Sequence, residues 1–454
     1  MSAPSRASLL DEITVRAEAD TERIDLAAPG AAKAAARAEL GLPIDRPIVM
    51  VGHQAEVWHA GILAKLIAAD QIAKDRGASL VWLTPDQDDN EPTMLAYPAE
   101  THEGRLKRRE WLIDPNAFVR RGTPTGSRTA MEAGVVPRVA RTEWPHERVR
   151  DGLSRIREAL VARQGEASLA MQFTGAALDL VRDALGLQVD HVLSCSGMAR
   201  GSAFGMWAER MQRDAKDCVL AYNSAAQAAP EAHVRELGMG PQWELPFWAL
   251  TPDRPRVPVH ASEELPSRFA PRALAMSGFA RTLLCDAWVM GTGGEAYDAV
   301  TRQWLSTWMG RSDLAPGVIA SATLRLSLRE GPLPDPAKAA RAAWQAHHAR
   351  HHPGLLGRDD LQRTRDELVA ELQRAPRRSN SRRELFASLR EVVHAAQREE
   401  VDSLEGLDDV ASAERERLRD KDCLLDRTWP FALHDRSSLQ ELDAAVRSGV
   451  GALA

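Results

Sequence analysis

Pro47 to Glu91 reads PIVMVGHQAEVWHAGILAKLIAADQIAKDRGASLVWLTPDQDDNE. Pro47 to Val51 is a short apolar run rich in β-branched residues, and Gly52 permits a sharp turn after it. A long helical stretch comes next. Ser79 to Leu83 is a second apolar run, stopped by Thr84-Pro85. Strand, helix and strand make a βαβ unit, whose two strands run parallel. That brings Gly52-His53-Gln54 and Asp86-Gln87-Asp88-Asp89 to one edge of a sheet. Open α/β sheets bind ligands there, beyond the carboxyl ends of their strands.

Within the helix, Trp58, Ile62, Leu66, Ala69 and Ala73 fall on one face, and Lys65 points into the same stripe. An inward lysine needs an anionic partner or a route for its amine to reach water. A snorkelling side chain and a ligand contact both satisfy that need. His59 and Gly61 form a His-x-Gly at the helix start, where unpaired N–H groups can hold an anion. Capping is the plainer use of such a histidine. Asp86, Asp88, Asp89 and Glu91 crowd four carboxylates into one loop, which repel unless compensated. Mg²⁺ with a substrate phosphate is one solution, and a solvated turn with a capping Asp is the other.

The chain has 454 residues, 44% of them hydrophobic, and a formal net charge of −6. That length suits one large domain or two to three smaller ones. The charge leaves no basic footprint for nucleic acid. No run approaches the roughly 18 apolar residues of a membrane span, and no secretory leader pattern stands near Met1. Cys195, Cys218, Cys285 and Cys423 lack CxxC or zinc-ligand spacing, so a reduced, cytoplasmic chain is expected.

Residues 2 to 40 predict helices packed outside the sheet. Residues 145 to 185 predict two helices, Val189 to Ser194 a strand, and Cys218 to Tyr222 another. The turn after Ser194 does not match G-x-S-x-G, which disfavours a hydrolase nucleophile, and Cys195 reads as a small buried side chain. Trp243 to Leu250 and Arg256 to His260 alternate around a Pro-rich turn and predict a β-hairpin. Gly291-Thr292-Gly293-Gly294-Glu295-Ala296 comes after a short apolar run and opens a helix; it fits G-x-G-x-x-A, the dinucleotide fingerprint. A nucleotide or carboxylate pocket and a simple tight turn compete with that reading. After Pro336 the chain is almost wholly helical. His347, His348, His351 and His352 sit before Pro353-Gly354 as helix C-terminal residues rather than metal ligands. The break Arg374 to Ser381 predicts an antiparallel helical hairpin.

Three segments carry a family resemblance. Gly52-His53-Gln54 and its helix look like the Gly-Gln-Gln turn of the bacillithiol-synthesis cysteine ligase family. Val81-Trp82-Leu83-Thr84-Pro85-Asp86-Gln87-Asp88 resembles that family's strand ending in Glu-Asp-His-Asp. Gly291 to Tyr297 is similar to its later glycine-rich turn. His53 stands where the family has Gln and Gln87 where it has His, as if the histidine had crossed the cleft. The resemblance implies a Rossmann-like, mostly parallel core over residues 1–330, with inserted segments at about 100–185 (helical) and 240–262 (β-hairpin). It also implies a helical, coiled-coil-like region over 336–425 that serves a homodimer, and a final segment, 426–454, docked on the core.

The expected function is a ligase that adds cysteine or a related amino acid to an amino-sugar type acceptor, using ATP or ADP, with Mg²⁺ as an option. His53, Asp86 and Asp88 are its catalytic candidates. Gln54, His59, Gly61, Lys65, Gln87, Gly291, Gly293, Gly294, Glu295 and Tyr297 are its binding candidates. His53 suits acid–base work because an unperturbed imidazole titrates near neutrality. A non-catalytic binding protein on the same scaffold and a nicotinamide oxidoreductase are the rival readings.

Overall fold

The computed structural model describes residues 9–18, 26, 28–114, 122–138, 145–310, 313–330 and 333–452. The strands in chain order are β1 (Leu10–Ala17), β2 (Ile48–Gly52), β3 (Ser79–Thr84), β4 (Met94–Glu100), β5 (Leu106–Leu112) and β6 (His191–Ser194). They continue with β7 (Glu244–Ala249), β8 (Val257–His260), β9 (Phe269–Pro271), β10 (Ala287–Met290) and β11 (Gly317–Leu324). Six of them form one mixed sheet in the order β1-β11-β10-β2-β3-β6. Its strands are parallel except β1, which runs antiparallel to β11. β2 and β3 are buried along almost their whole length, which is why they read as continuous apolar runs rather than alternating ones. They pair from Ile48 with Ser79 to Gly52 with Leu83, as the βαβ reading requires.

Taken in chain order, the parallel strands lie third, second, first, fourth, fifth across the sheet: β6, β3, β2, β10, β11. The winding therefore reverses between β2 and β10. At such a reversal the connections leave to opposite sides and open a crevice at the carboxyl edge.

Gly52 is needed for a different reason from the expected turn. Its backbone is not left-handed. A methyl group there would lie 2.2 Å from the carbonyl oxygen of Leu83 on the neighbouring strand. The helix Ala60–Arg76 also differs from the single stripe expected. It is buried on all sides from Ala60 to Asp70, and Trp58 precedes it. One side meets β2 and β11, and the helix Arg436–Gly451 covers another. Asp70 on that buried surface is neutralised by Arg447 at 2.8 Å and Lys74 at 2.7 Å. Trp58 packs on Trp82, ring centroids 4.1 Å apart, and its carbonyl accepts the Phe431 N–H.

Three expectations of secondary structure are also corrected. Leu10–Ala17 is an edge strand, not helix; with one pairing neighbour it stays half-exposed, and its polar composition reflects that. Residues 2–8 and 19–25 lie outside the described residues. Cys218 to Tyr222 belongs to the helix Ala215–Ala228, since a short buried apolar run does not distinguish helix from strand. The segment expected to be helical from about 100 carries β5 before its helices Arg150–Ala162 and Leu169–Leu185. The predicted hairpin forms as β7 and β8, and β9 joins it in a separate three-stranded sheet.

The chain divides into two compact units. One comprises Thr101–Lys107 and Arg329–Asp426; within it the helix Pro336–Ala349 packs on Val401–Leu418, and Asp359–Arg374 packs on Asn380–Glu399. The other holds Arg108–Leu328, the described residues before Thr101 and those from Arg427 onward, and contains the six-stranded sheet. Among the described residues no helix is long and apolar enough to cross a membrane.

Candidate functional site

The reversal between β2 and β10 does open a cleft. An inner cavity of about 330 Å³ is lined by Gly52, His53, Lys65, Gly291, Gly293 and Tyr297, among others. An outer cavity of about 560 Å³ shares Gly52, His53 and Tyr297, then runs on to Gln54, Gln87 and Asp88. Segments more than 200 residues apart thus meet at one place, because the parallel register sets the ends of β2 and β10 side by side.

Lys65 reaches the inner cavity from the buried helix. It is 5% exposed, and its ammonium donates to the Gly52 carbonyl at 2.8 Å. No carboxylate pairs with it among the described residues. Burial brings its pKa down from 10.5 to about 8. Its stem is buried and its amine lines the cavity, an arrangement that suits either of the two sequence readings. His53 lies where the two cavities join, its Nε2 3.1 Å from Glu56 Oε1. Burial lowers the pKa of its imidazole, and Glu56 opposes that shift.

The glycine turn is open toward the inner cavity. Gly291 and Gly293 have no left-handed backbone that would demand glycine. A methyl group at Gly293 would meet nothing within 4 Å, and one at Gly291 only Lys65 Cδ at 3.6 Å. The helix Gly294–Met309 begins here with no side-chain cap. Gly294 N–H is taken by the Gly291 carbonyl at 2.8 Å, and the next first-turn N–H groups have no partner within the helix. Glu295 turns away to Arg16 at 2.5 Å and lines neither cavity.

The His-x-Gly helix start is already occupied. His59 Nδ1 accepts the Gly61 N–H, and the His59 carbonyl accepts those of Ile62 and Leu63. Gly61 itself is explained by packing, since a methyl there would lie 2.9 Å from His59 Cε1. His59 faces a different cavity of about 230 Å³, with Glu56, Glu91 and Arg108. Burial takes its pKa to about 4.

The acidic loop is compensated by arginines distant in sequence. Arg256 binds Asp88 at 2.9 Å, Asp89 at 2.7 Å and the Gln87 carbonyl at 2.8 Å. Arg128 binds Glu91 at 2.8 Å. Gln54 donates to Asp88 at 2.7 Å, which ties the two strand ends together across the outer cavity. Gln87 is buried, with its side-chain oxygen unpartnered among the described residues. Asp86 is not brought to the cleft: its carboxylate accepts the Ser196 N–H at 2.8 Å and the Ser196 hydroxyl, and burial pushes its pKa up. Its position braces the turn after β6. Among the described residues no group of three or more His, Cys, Asp or Glu side chains is placed to hold a metal ion.

The sequence reading missed the outer wall. Tyr222, Trp248, Arg256 and Arg272 line the outer cavity with Arg235 at its rim. Arg272 carried a signal, a charge inside the apolar stretch Phe269 to Leu274. No protein-family model matches the chain, and no curated protein matches it. What the residues themselves define is an α/β protein with a two-lobed cleft at the carboxyl edge of a mostly parallel sheet.

Proposed function

We propose that this protein is a ligase on a Rossmann-like core, akin to the bacillithiol-synthesis cysteine ligase family, joining cysteine or a related amino acid to a small-molecule acceptor. The observation that carries the reading is the inner cavity: open glycines, an uncapped helix start and a buried lysine without a carboxylate partner among the described residues. Those features suit the phosphates of ATP or ADP. A bound nucleotide supplies the carboxyl activation that amide formation needs. Any Mg²⁺ arrives with the nucleotide, because the loop carboxylates are committed to Arg256 and Arg128.

This chain's own residues then have distinct tasks. Lys65 and the first-turn N–H groups that follow Gly294 hold the anion. His53, at the junction of the lobes, takes the proton from an attacking amine, and Glu56 orients its ring. Asp88, held by Gln54 and Arg256, keeps a negative charge near the incoming amine. His59 and Gly61 drop out of the phosphate-binding set, since their N–H and imidazole groups satisfy each other. A homodimer through a C-terminal helical hairpin belongs to the same proposal; exposed Trp344, Phe386 and Val410 in that unit favour it, and light scattering tests it.

A glycine fingerprint for a dinucleotide opens the first βαβ unit of its fold. Here the glycine run comes after β10, the fourth parallel strand, which argues against the nicotinamide reading. Calorimetry with ATP, ADP and cysteine, then a turnover assay, tests the proposal. ATP or ADP should bind the wild type and not Lys65→Met, and turnover should fail in His53→Ala. Binding without turnover in every substrate combination leaves a binding protein on this scaffold. Absence of nucleotide binding removes the ligase reading.

A further inference from the structure

The outer lobe has its own unspent hydrogen-bonding capacity. Three arginines line it, Arg235, Arg256 and Arg272, against one carboxylate, Asp88. Arg256 is engaged by the acidic loop. Arg272 is 7% exposed, and of its three nitrogens only Nη2 has a partner among the described residues, Glu244 Oε1 at 2.5 Å. Glu244 is fixed in turn by the Gly238 N–H at 2.7 Å, so the guanidinium is held in place from behind. Its flat face lies 3.8 Å from the centroid of Trp248. Tyr222 is 4% exposed, packs edge-on to Trp304 at 5.2 Å, and its hydroxyl makes no hydrogen bond among the described residues. The next residue, Asn223, is by contrast fully used: it exchanges two hydrogen bonds with Leu237 and pins the segment carrying His233 and Arg235 to the cavity.

An Arg–Trp stack alone would be ordinary packing. A guanidinium with one partner and a phenol with none among the described residues, both lining the same void, are not, since they leave donors open to whatever water or ligand fills it. Both are donors, and a carboxylate or phosphate accepts from arginine and a hydroxyl together.

We propose that the outer lobe is an oxyanion subsite: Arg272 and Tyr222 hold a carboxylate or phosphate of a small molecule, while Trp248, with Arg272 at 3.8 Å and Arg256 at 4.7 Å over its ring, holds the guanidinium groups in place. Arg235 at the rim adds attraction without being part of the fixed frame. As a substrate class for the second reactant this rests on the ligase reading, but the subsite itself rests only on the cavity and its donors.

The test titrates the full-length protein with inorganic phosphate, succinate and benzoate, with benzamide as the uncharged control, by calorimetry. An oxyanion should bind one to one, benzamide should not bind, and benzoate against phosphate separates the two anion chemistries. Tyr222→Phe keeps the ring and should weaken binding about tenfold or more, as expected for a hydrogen bond to a charged group. Arg272→Met alone would strand Glu244, so Arg272→Met is paired with Glu244→Gln, and the pair should abolish binding. ATP titration of Tyr222→Phe runs alongside. Oxyanion binding that depends on Tyr222 while ATP stays silent keeps the subsite and removes the ligase reading; ATP binding without any oxyanion binding does the reverse. Undiminished binding in both variants, or binding lost only in Lys65→Met, overturns the subsite.

Discussion

Replacing Lys65 with methionine should stabilise the fold while it removes the anion site. The lysine is buried, and its one partner among the described residues is the Gly52 carbonyl. Burial brings its pKa from 10.5 to about 8. At about 1.4 kcal/mol per pKa unit, holding the charged form inside costs about 3 kcal/mol at pH 7. Between pH 8 and 10.5 the unfolded chain keeps a proton that the folded chain has released, so stability rises with pH across that window. Methionine is close in length and carries no charge. It forfeits the hydrogen bond to Gly52, about 1 to 3 kcal/mol, so the net gain at pH 7 is about 0 to 2 kcal/mol. The hydrogen-bond loss is common to every pH below about 8. The difference between variant and wild type should therefore shift toward the wild type by about 3 kcal/mol as pH rises from about 7 to 10.5. Guanidinium unfolding at half-unit pH steps measures it. In the same variant, ATP or pyrophosphate affinity should collapse, and in the wild type an anion should bind with proton uptake near pH 8 to 9. Parallel stability curves for the two proteins across that pH range would refute the reasoning.

Gly52→Ala should lose about 1 to 3 kcal/mol or more, because its methyl meets a strand carbonyl 2.2 Å away that has no free side chain to yield; thermal unfolding at wild-type temperature sinks this account. Gly293→Ala should change stability by less than about 0.5 kcal/mol, since the space is open, yet weaken phosphate binding by narrowing the approach. Equal affinity by calorimetry counts against a ligand at that turn. Glu56→Gln should move the His53 titration further below its already lowered value, because the carboxylate that opposes burial is gone; imidazole NMR reads it, and an unmoved midpoint removes the orienting role. Asp86→Ala should cost about 1 to 3 kcal/mol by stranding the Ser196 donors while leaving ATP affinity intact. A selective loss of affinity would return Asp86 to the site.

The βαβ unit was legible because both of its strands are buried on two faces, and such strands show as unbroken apolar runs. The edge strand Leu10–Ala17 was not, because half its surface is wet and its composition resembles that of a polar helix. Within the site, His53, Gln54, Gln87 and Asp88 could be placed from Gly52 and Pro85 alone, since the end of a buried strand fixes where the next few residues of the chain emerge. Asp86 shows the limit. It is two positions from Asp88 in the same loop, and only the packed turn after β6 decided that it faces Ser196.

Sequence by itself determined the parallel strands and the lack of any CxxC pairing, both of which are read from neighbours along the chain, whereas the need for Gly52 came from the neighbouring strand. Tertiary structure decided what neutralises the acidic loop, that the Lys65 ammonium meets the Gly52 carbonyl, and that Tyr222, Trp248 and Arg272 share a void with His53. Those facts depend on contacts between residues far apart along the chain, such as Arg256 and Asp88. Local propensity carries no information about such a distance; the sheet's order of strands supplies it.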